Sequence, residues 1–129
     1  MIVNDKEFAS VISLSAPERY EHFIKRVADS MELWGLRSSE GWLLLGDDEE
    51  KEAFPVWPAE RYAAAYAKDQ ECIEEPVPID AAVWLQEMLP QLEADGVLVA
   101  AFPVPSGPGI IVSAEQHTEH LVVELEEYE

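Results

Sequence analysis

Residues 15–37 read SAPERYEHFIKRVADSMELWGLR, and this segment changes from helical to extended spacing partway along. Ser15 and Glu18 form the capping-box pattern of a helix start, and Pro17 sits in the first turn, where its missing N–H is tolerated. Apolar residues then recur at helical spacing as far as Met31, after which a short apolar run begins. The segment therefore predicts a helix that leads directly into a strand.

The same two patterns recur on both sides of this segment. Asn4 and Glu7 form another capping box, which predicts a short helix at the N-terminus. On the C-terminal side, apolar runs separated by turn residues predict three strands paired as an antiparallel meander. Because Pro55 cannot donate to a strand ladder, the third strand is expected at a sheet edge or with a bulge. The predicted strands are residues 33–37, 42–46 and 53–57.

The second half of the chain repeats the alternation of helices and strands. An alanine-rich helix is predicted from Pro58, followed by residues 71–79 as an extended linker. The next helix is capped by Asp80, and Pro90 is expected to kink it after Leu89. The remaining predicted elements are strands over residues 97–102 and 109–112 and a final helix whose capping box starts at Ser113.

Together these elements predict a single small α+β domain over residues 1–129. The order is α-α-β-β-β-α, an extended linker, then α-β-β-α, with mostly antiparallel sheet packed against helices. Neither half of the chain is long enough for a hydrophobic core of its own, so one domain is expected rather than two.

The charge of the chain is strongly negative and unevenly distributed. The chain has 27 acidic and 8 basic residues, a formal net charge of −19, and no Lys or Arg after Lys68. Nucleic-acid binders neutralise phosphates with a basic face, and anionic membranes attract basic segments, so the charge excludes both kinds of partner. A large net charge also keeps a protein in solution without any partner.

Other sequence features predict a cytoplasmic protein. The N-terminus lacks the basic head and apolar run of a secretory signal, and no apolar stretch is long enough to cross a membrane. Cys72 is the single cysteine, so an intrachain disulfide cannot form. The carboxylates of Glu71, Glu74 and Glu75 disfavour the thiolate form of Cys72, and an inert thiol is expected.

The sequence H-T-E-H at residues 117–120 is the strongest candidate for a metal site. His117 and His120 are three apart on a predicted helix and could ligate zinc, with Glu124 as a third ligand. The order matches neither common zinc-protease motif, and His117 falls at the edge of the apolar stripe. A packed, neutral His117 is therefore expected, with no metal and no other cofactor.

Two charged clusters have ordinary structural explanations. The acidic residues 47–50 lack the ligand spacing of a calcium loop, so a solvated turn is expected there. Arg19, His22 and Arg26 form a cationic strip on the predicted second helix. The acids beside this strip favour ion pairs within the helix over binding of a phosphate or carboxylate.

The four tryptophans and the missing catalytic motifs bear directly on function. Most of the tryptophans are expected in the core, but Trp57 stands between two prolines at a strand end and is expected to be partly exposed. The glycine-rich and nucleophile-elbow motifs of common enzyme classes are absent from the sequence. The chain is therefore not expected to be an enzyme, and no catalytic residue is assigned.

Several groups of residues spaced along nearly the whole chain match a known family. The most specific is FPVWP at residues 54–58, and weaker matches include Trp34-Gly35-Leu36, Gly41-Trp42 and Leu89-Pro90. These residues resemble a bacterial family catalogued as domain of unknown function 2750. The resemblance implies a small bacterial domain and no particular activity, because the family has no assigned substrate or catalytic residue.

The leading hypothesis is a non-catalytic intracellular protein-binding module, most concretely an acidic inhibitor or immunity-type protein that covers a basic partner. One alternative is a small metal-dependent hydrolase that uses His117 and His120. Another is an accessory domain with no tight partner, and the oligomeric state is left open. The candidate partner-binding residues are Asp47, Asp48, Glu49, Glu50, Trp57 and Glu124.

Overall fold

The computed structural model describes residues 3–46, 51–105 and 107–127. Its helices and mixed sheets confirm the predicted α+β class. Within the described ranges, every helix is too short or too polar to cross a membrane. In chain order the elements are α1 (Asp5–Ile12), α2 (Ala16–Ser30), β1 (Glu32–Ser38), β2 (Gly41–Trp42), β3 (Leu45–Gly46), β4 (Glu52–Val56), α3 (Glu60–Asp69), β5 (Glu75–Asp80), α4 (Ala81–Val83), a π-helical turn (Trp84–Met88), α5 (Leu89–Asp95), β6 (Leu98–Ala101), β7 (Ile110–Val112) and α6 (Ala114–Glu126).

Helix α2 starts and ends as its local sequence predicts. The Ser15 side chain accepts from the Glu18 amide, and the Glu18 carboxylate accepts from the Ser15 amide, which completes the capping box. At the other end Met31 adopts a left-handed conformation with φ 59°, and its N–H donates to the Val27 carbonyl. This tight cap turns the chain straight into β1 and lays that strand beside the helix.

The strands form two sheets instead of the predicted meander. The first has the order β2-β1-β5 and is antiparallel, whereas the second has the order β3-β4-β6-β7 with β4 and β6 parallel. The predicted strand at residues 42–46 is wrong as a single element. Its first part pairs with β1 and its last part pairs with β4, so this short segment crosses from one sheet to the other.

The predicted extended segment at residues 71–79 is extended over most of its length, but it is wrong as a linker, because β5 forms six residue pairs with β1. Pro76 and Pro78 are two apart, so their nitrogens point to the same side of the strand. The Ala81 amide donates to the Met31 carbonyl on the side of β1. The N–H groups of the odd-numbered residues of β5 therefore also face β1, and the two prolines face away from it. β5 lies at the end of its sheet, where prolines facing outward cost no ladder hydrogen bond.

Pro55 occupies a local edge inside the second sheet. β4 is flanked by β3 and β6, but its pairing with β3 ends at Ala53. Backbone groups two residues apart face the same side, and the Trp57 amide on that side donates to Trp34 of β1. Pro55 therefore lies between the end of β3 and the contact with β1, so the expectation of an edge position is correct locally and wrong for β4 as a whole.

Pro90 interrupts its helix one turn earlier than predicted. The disturbance is the π-helical turn, in which the Leu89 amide donates to the Trp84 carbonyl five residues back. A proline ring in a regular helix clashes with the carbonyl four residues before it, here that of Gln86. The wider turn relieves that clash, and α5 then continues from Leu89 with Pro90 in its first turn.

Trp57 joins the two sheets at the centre of the molecule. Its N–H donates to the Trp34 carbonyl at 2.9 Å and its carbonyl accepts from the Trp34 amide at 2.8 Å. The indole N–H donates to the Pro103 carbonyl at 2.7 Å, and the ring packs on Tyr66 with centroids 5.2 Å apart. Trp57 is fully buried. The expectation that it is partly exposed is therefore wrong, because β4 ends inside the core, where the backbone of Trp57 pairs with Trp34 and its indole bonds to Pro103.

We predict that Trp57→Phe costs about 2 to 4 kcal/mol of unfolding free energy, because it opens a cavity and leaves the buried Pro103 carbonyl without its donor. Urea denaturation of the two proteins measures the difference. Trp34→Phe is the matched control, since Trp34 is only half-buried, and it should cost less. Equal losses for the two substitutions would show that the indole of Trp57 is not the joint between the sheets.

Candidate functional site

The H-T-E-H histidines belong to a chain of hydrogen bonds that runs from the core to the surface. Nε2 of the buried His117 lies 3.1 Å from the indole nitrogen of Trp84, which can only donate. His117 therefore carries its proton on Nδ1, which lies 3.3 Å from the Tyr20 hydroxyl. That hydroxyl can then donate to Nδ1 of His120 at 2.7 Å.

This hydrogen-bond chain leaves both ring nitrogens of His117 occupied. Burial, with a smaller effect of His120, lowers the pKa of His117 to about 3, so the ring is neutral at physiological pH. The expected packed, neutral His117 is confirmed. Within the described ranges no group of three or more His, Cys, Asp or Glu side chains is arranged to hold a metal ion.

The cationic strip on α2 does not form the predicted ion pairs within the helix. Arg19 is buried and donates to the carbonyls of Leu14, Phe102 and Pro108, which ties α2 to the loop between β6 and β7. Arg26 pairs with Glu7 of α1. The prediction is thus wrong for both arginines, because long side chains on a packed helix face reach other elements.

The intrahelical salt bridge of α2 is between Lys25 and Glu21, which lie on its exposed side at 3.0 Å. Hydrogen bonding to Glu21 raises the pKa of Lys25, and the charges of Glu124 and Glu127 add to this shift. Glu124 therefore lies close enough to a base for part of its charge to be compensated. It is half-buried near the end of α6.

Of the predicted partner-binding residues, the structure describes Trp57 and Glu124. Asp47, Asp48, Glu49 and Glu50 lie outside the described residues, so the acidic turn stays a prediction. Trp57 is buried and cannot serve as a surface anchor in this conformation.

Cys72 has the character of an ordinary thiol. Burial, with a smaller contribution from Glu74, raises the pKa of this thiol and disfavours the thiolate. The effect of Glu74 was expected from the flanking acids, whereas the larger effect of burial was not.

A groove beside the π-helical turn is the feature that best fits a binding site. Its volume is about 400 Å³, and most of its surface is apolar. One wall comes from the π-helical turn and the helices on either side of it, and the other comes from β2 and β4. The groove is lined by Trp42, Phe54, Val83, Glu87, Met88, Gln91 and Leu92.

The floor of the groove is held by packed aromatic rings. Phe54 lies 5.4 Å from Trp42 on one side and 5.4 Å from Trp84 on the other, measured between ring centroids. Trp84 is fixed in turn by its hydrogen bond to His117. The rim is more open, since Val83 is 41% exposed. A rigid floor with an exposed apolar rim is suited to receiving a side chain from another protein.

The sequence pattern did not reveal this groove. In the sequence its apolar residues form one helical stripe, but the structure buries Trp84 and Leu89 and leaves Met88 and Leu92 half-buried at the groove. A π-helical turn holds more residues than a regular turn, so it shifts the direction of the side chains that follow it. Pro90 inside an apolar stripe was the available signal for this shift.

The fold and this groove define a small α+β domain with an apolar recess at a helix irregularity. The chain belongs to the family described as "Protein of unknown function (DUF2750)", whose model matches residues 20–121, most of the chain. The resemblance found in the sequence is thereby confirmed at the level of the family. Neither the curated proteins nor the solved structures contain a significant match to the chain.

The buried His117 predicts a pH dependence of stability. In the unfolded chain His117 takes up a proton near its ordinary pKa of 6.5, whereas the folded protein lowers that pKa to about 3. The unfolded state therefore binds more protons between these values. The free energy of unfolding should fall as pH decreases through this window, by at most about 1.4 kcal/mol per pH unit for this group.

The measurement is urea denaturation of the wild type, His117→Gln and His120→Gln from neutral pH downward. The 27 acidic residues titrate in all three proteins and cancel in the comparison. As pH decreases, the free energy of unfolding should fall more steeply in the wild type and His120→Gln than in His117→Gln. Parallel profiles for all three would contradict the assignment of this loss to His117.

We also predict that zinc finds no tight site at the two histidines, because binding at His117 would have to break its hydrogen bonds to Trp84 and Tyr20. Isothermal titration with zinc should detect no submicromolar affinity. A submicromolar site that is lost when His117 and His120 are both replaced by Ala would instead favour the metal-dependent hydrolase.

Proposed function

We propose that this chain is a non-catalytic protein-binding domain whose partner inserts an apolar side chain, flanked by Lys or Arg, into the groove beside the π-helical turn. The observation that carries the proposal is the groove itself, an apolar recess with an exposed rim, five of whose seven lining residues lie after Lys68, the last basic residue of the chain. The most concrete form is an acidic inhibitor or immunity-type protein that covers a basic enzyme in the cytoplasm.

The size and surface of the groove support an apolar anchor. Its volume of about 400 Å³ is enough for one or two large side chains. Met88, Leu92 and Trp42 present apolar atoms to it and are only half-buried in the free protein. Covering them would remove apolar surface from water, which is the main source of affinity at the centre of protein interfaces.

The charge on the helical wall of the groove supports basic flanking residues, whereas the other wall carries Arg37, whose guanidinium lies over the Trp42 ring at 5.3 Å. Glu87 lines the groove and is exposed. The chain from residue 69 onward has 14 acids and no Lys or Arg. Such a field attracts a basic partner before contact and speeds association at low salt. The same field repels acidic partners, so it adds specificity as well as rate.

The buried Trp57 changes one part of the earlier hypothesis. Because Trp57 is buried, it cannot be the apolar anchor of the interface. The anchor is therefore assigned to the partner, and this protein supplies the groove that receives it. The acidic turn at residues 47–50 remains a candidate for the rim, because it connects β3 to the β4 strand that supplies Phe54. Glu124 is a weaker candidate because of its position near Lys25.

We predict that Val83→Lys abolishes capture of the partner, whereas Val123→Lys preserves it. Both valines are exposed, 41% and 58% respectively, and both changes add one positive charge. Val83 lines the groove, whereas Val123 lies on α6 and is not among the lining residues. The experiment captures proteins from an extract of the source organism on the immobilised full-length variants and compares them by quantitative mass spectrometry.

The captured protein must then be purified and tested directly. A basic protein whose association slows with salt, and whose complex loses about 2 kcal/mol or more with Val83→Lys, supports the proposal. Equal capture by both variants, or a partner whose association rate is indifferent to salt, would refute it. An extract that yields no specific partner for the wild type would favour the accessory-domain alternative.

A further inference from the structure

Helix α1 covers a cluster of polar side chains from α2 and α3. Arg26 pairs with Glu7, and its side chain is only 10% exposed. Tyr62 is 2% exposed and stacks on Phe8, the residue after Glu7, and burial raises the pKa of its hydroxyl, with smaller and opposite effects of Glu7 and Arg26. His22 lies one helical turn before Arg26 and contacts the same Phe102 ring as Tyr62, at 6.4 and 4.8 Å between centroids.

The cluster holds more hydrogen-bonding capacity than α1 uses. Within the described part of the chain, the Arg26 Nη2, Tyr62 hydroxyl and His22 Nε2 atoms are buried and have no hydrogen-bond partner. The first two are donors, and His22 Nε2 donates in one of its tautomers. Leaving such groups unpaired costs free energy, so they point to an acceptor group that is larger than one carboxylate.

The aromatic ring of Phe8 packs next to this cluster. The Phe8 ring lies nearly parallel to the Tyr62 ring, with centroids 5.6 Å apart and an angle of 11°. The guanidinium of Arg61 lies over the Phe8 ring at 4.5 Å, which is a favourable cation–π distance. Arg61 also donates to the Val3 carbonyl at 2.9 Å and pairs with Asp5 at 2.6 Å.

α1 thus packs an aromatic ring and carboxylates against Arg26, Arg61, Tyr62 and His22, which would line a cleft if α1 moved away. These cleft residues lie within the span matched by the family, residues 20–121, and α1 lies outside it. α1 has eight residues, and a helix of that length has little stability of its own. It is held by the two ion pairs, the ring contacts and the buried Val3 and Val11.

We infer that the cleft under α1 is a ligand site for a flat ring that carries a phosphate-type oxyanion, and that α1 occupies it in the free protein. In this view Phe8 holds the position of the ring and Glu7 part of the position of the oxyanion. A phosphate monoester offers acceptor oxygens for Arg26, Tyr62 and His22 together, which one carboxylate oxygen of Glu7 does not. The site is separate from the groove beside the π-helical turn.

Because α1 must move before a ligand enters, the wild type should bind weakly and variants that loosen α1 should bind more tightly. The probe is phenyl phosphate, titrated into the full-length protein and followed by backbone amide NMR shifts. Inorganic phosphate tests the oxyanion alone, and benzyl alcohol tests the ring alone. The loosened variants are Phe8→Ala, which vacates the ring position, and Glu7→Gln, which frees Arg26 and keeps the shape of the side chain.

We expect Phe8→Ala and Glu7→Gln to bind phenyl phosphate about tenfold more tightly than the wild type. Phe8→Ala should also prefer phenyl phosphate to either separate probe. Lys6→Ala is the control, because Lys6 is exposed on α1 and should leave the affinity unchanged. If Phe8→Ala fails to fold, Glu7→Gln carries the test.

The substitution Tyr62→Phe distinguishes a ligand site from a cluster whose role is only structural. Removing a buried unpaired hydroxyl should leave the urea midpoint unchanged or raise it. In the Glu7→Gln background the same substitution should weaken phenyl phosphate binding about fivefold, because the donor to the oxyanion is lost. Affinity that is indifferent to Tyr62→Phe, or loosened variants that bind no better than the wild type, would overturn the inference.

Discussion

The pair of backbone hydrogen bonds between Trp34 and Trp57 is the contact on which the rest of the structure depends. It is the point where the antiparallel sheet of β1 and β5 meets the mixed sheet of β4 and β6. The indole of Trp57 extends the joint to the end of β6 through Pro103 and to α3 through Tyr66. A large side chain with its single donor satisfied can be buried there at little polar cost. The segment that most resembles the family is therefore a structural joint.

Buried polar groups fall into two kinds in this protein. Both ring nitrogens of His117 and the guanidinium of Arg19 have hydrogen-bond partners, and both side chains tie distant elements together. Under α1, the Arg26 Nη2 and Tyr62 hydroxyl atoms are buried and have no partner among the residues that the structure describes. A satisfied buried group rigidifies a fold, whereas an unsatisfied one costs free energy that a ligand can recover. This contrast is why the binding inference rests on α1 and not on the H-T-E-H histidines.

Features that depend on neighbouring residues were predictable from the sequence. The capping patterns in the sequence placed the starts of α1, α2 and α6, and the edge position of His117 on its stripe indicated a packed, neutral ring. The acidic character of the candidate interface also follows from composition. The groove was not predictable, because the π-helical turn before Pro90 changes which apolar side chains reach the core.

The sequence was sufficient for the class of the fold, the helix starts and the charge, since caps, periodicity and composition are local or additive properties. Only the tertiary structure decided that β5 pairs with β1, that the segment at residues 42–46 divides between two sheets, and that Trp57 is buried. Strand pairing joins residues far apart in the chain, and burial depends on what finally covers a side chain. Neither the partner of a strand nor the burial of a side chain can therefore be predicted from the residues next to it in the sequence.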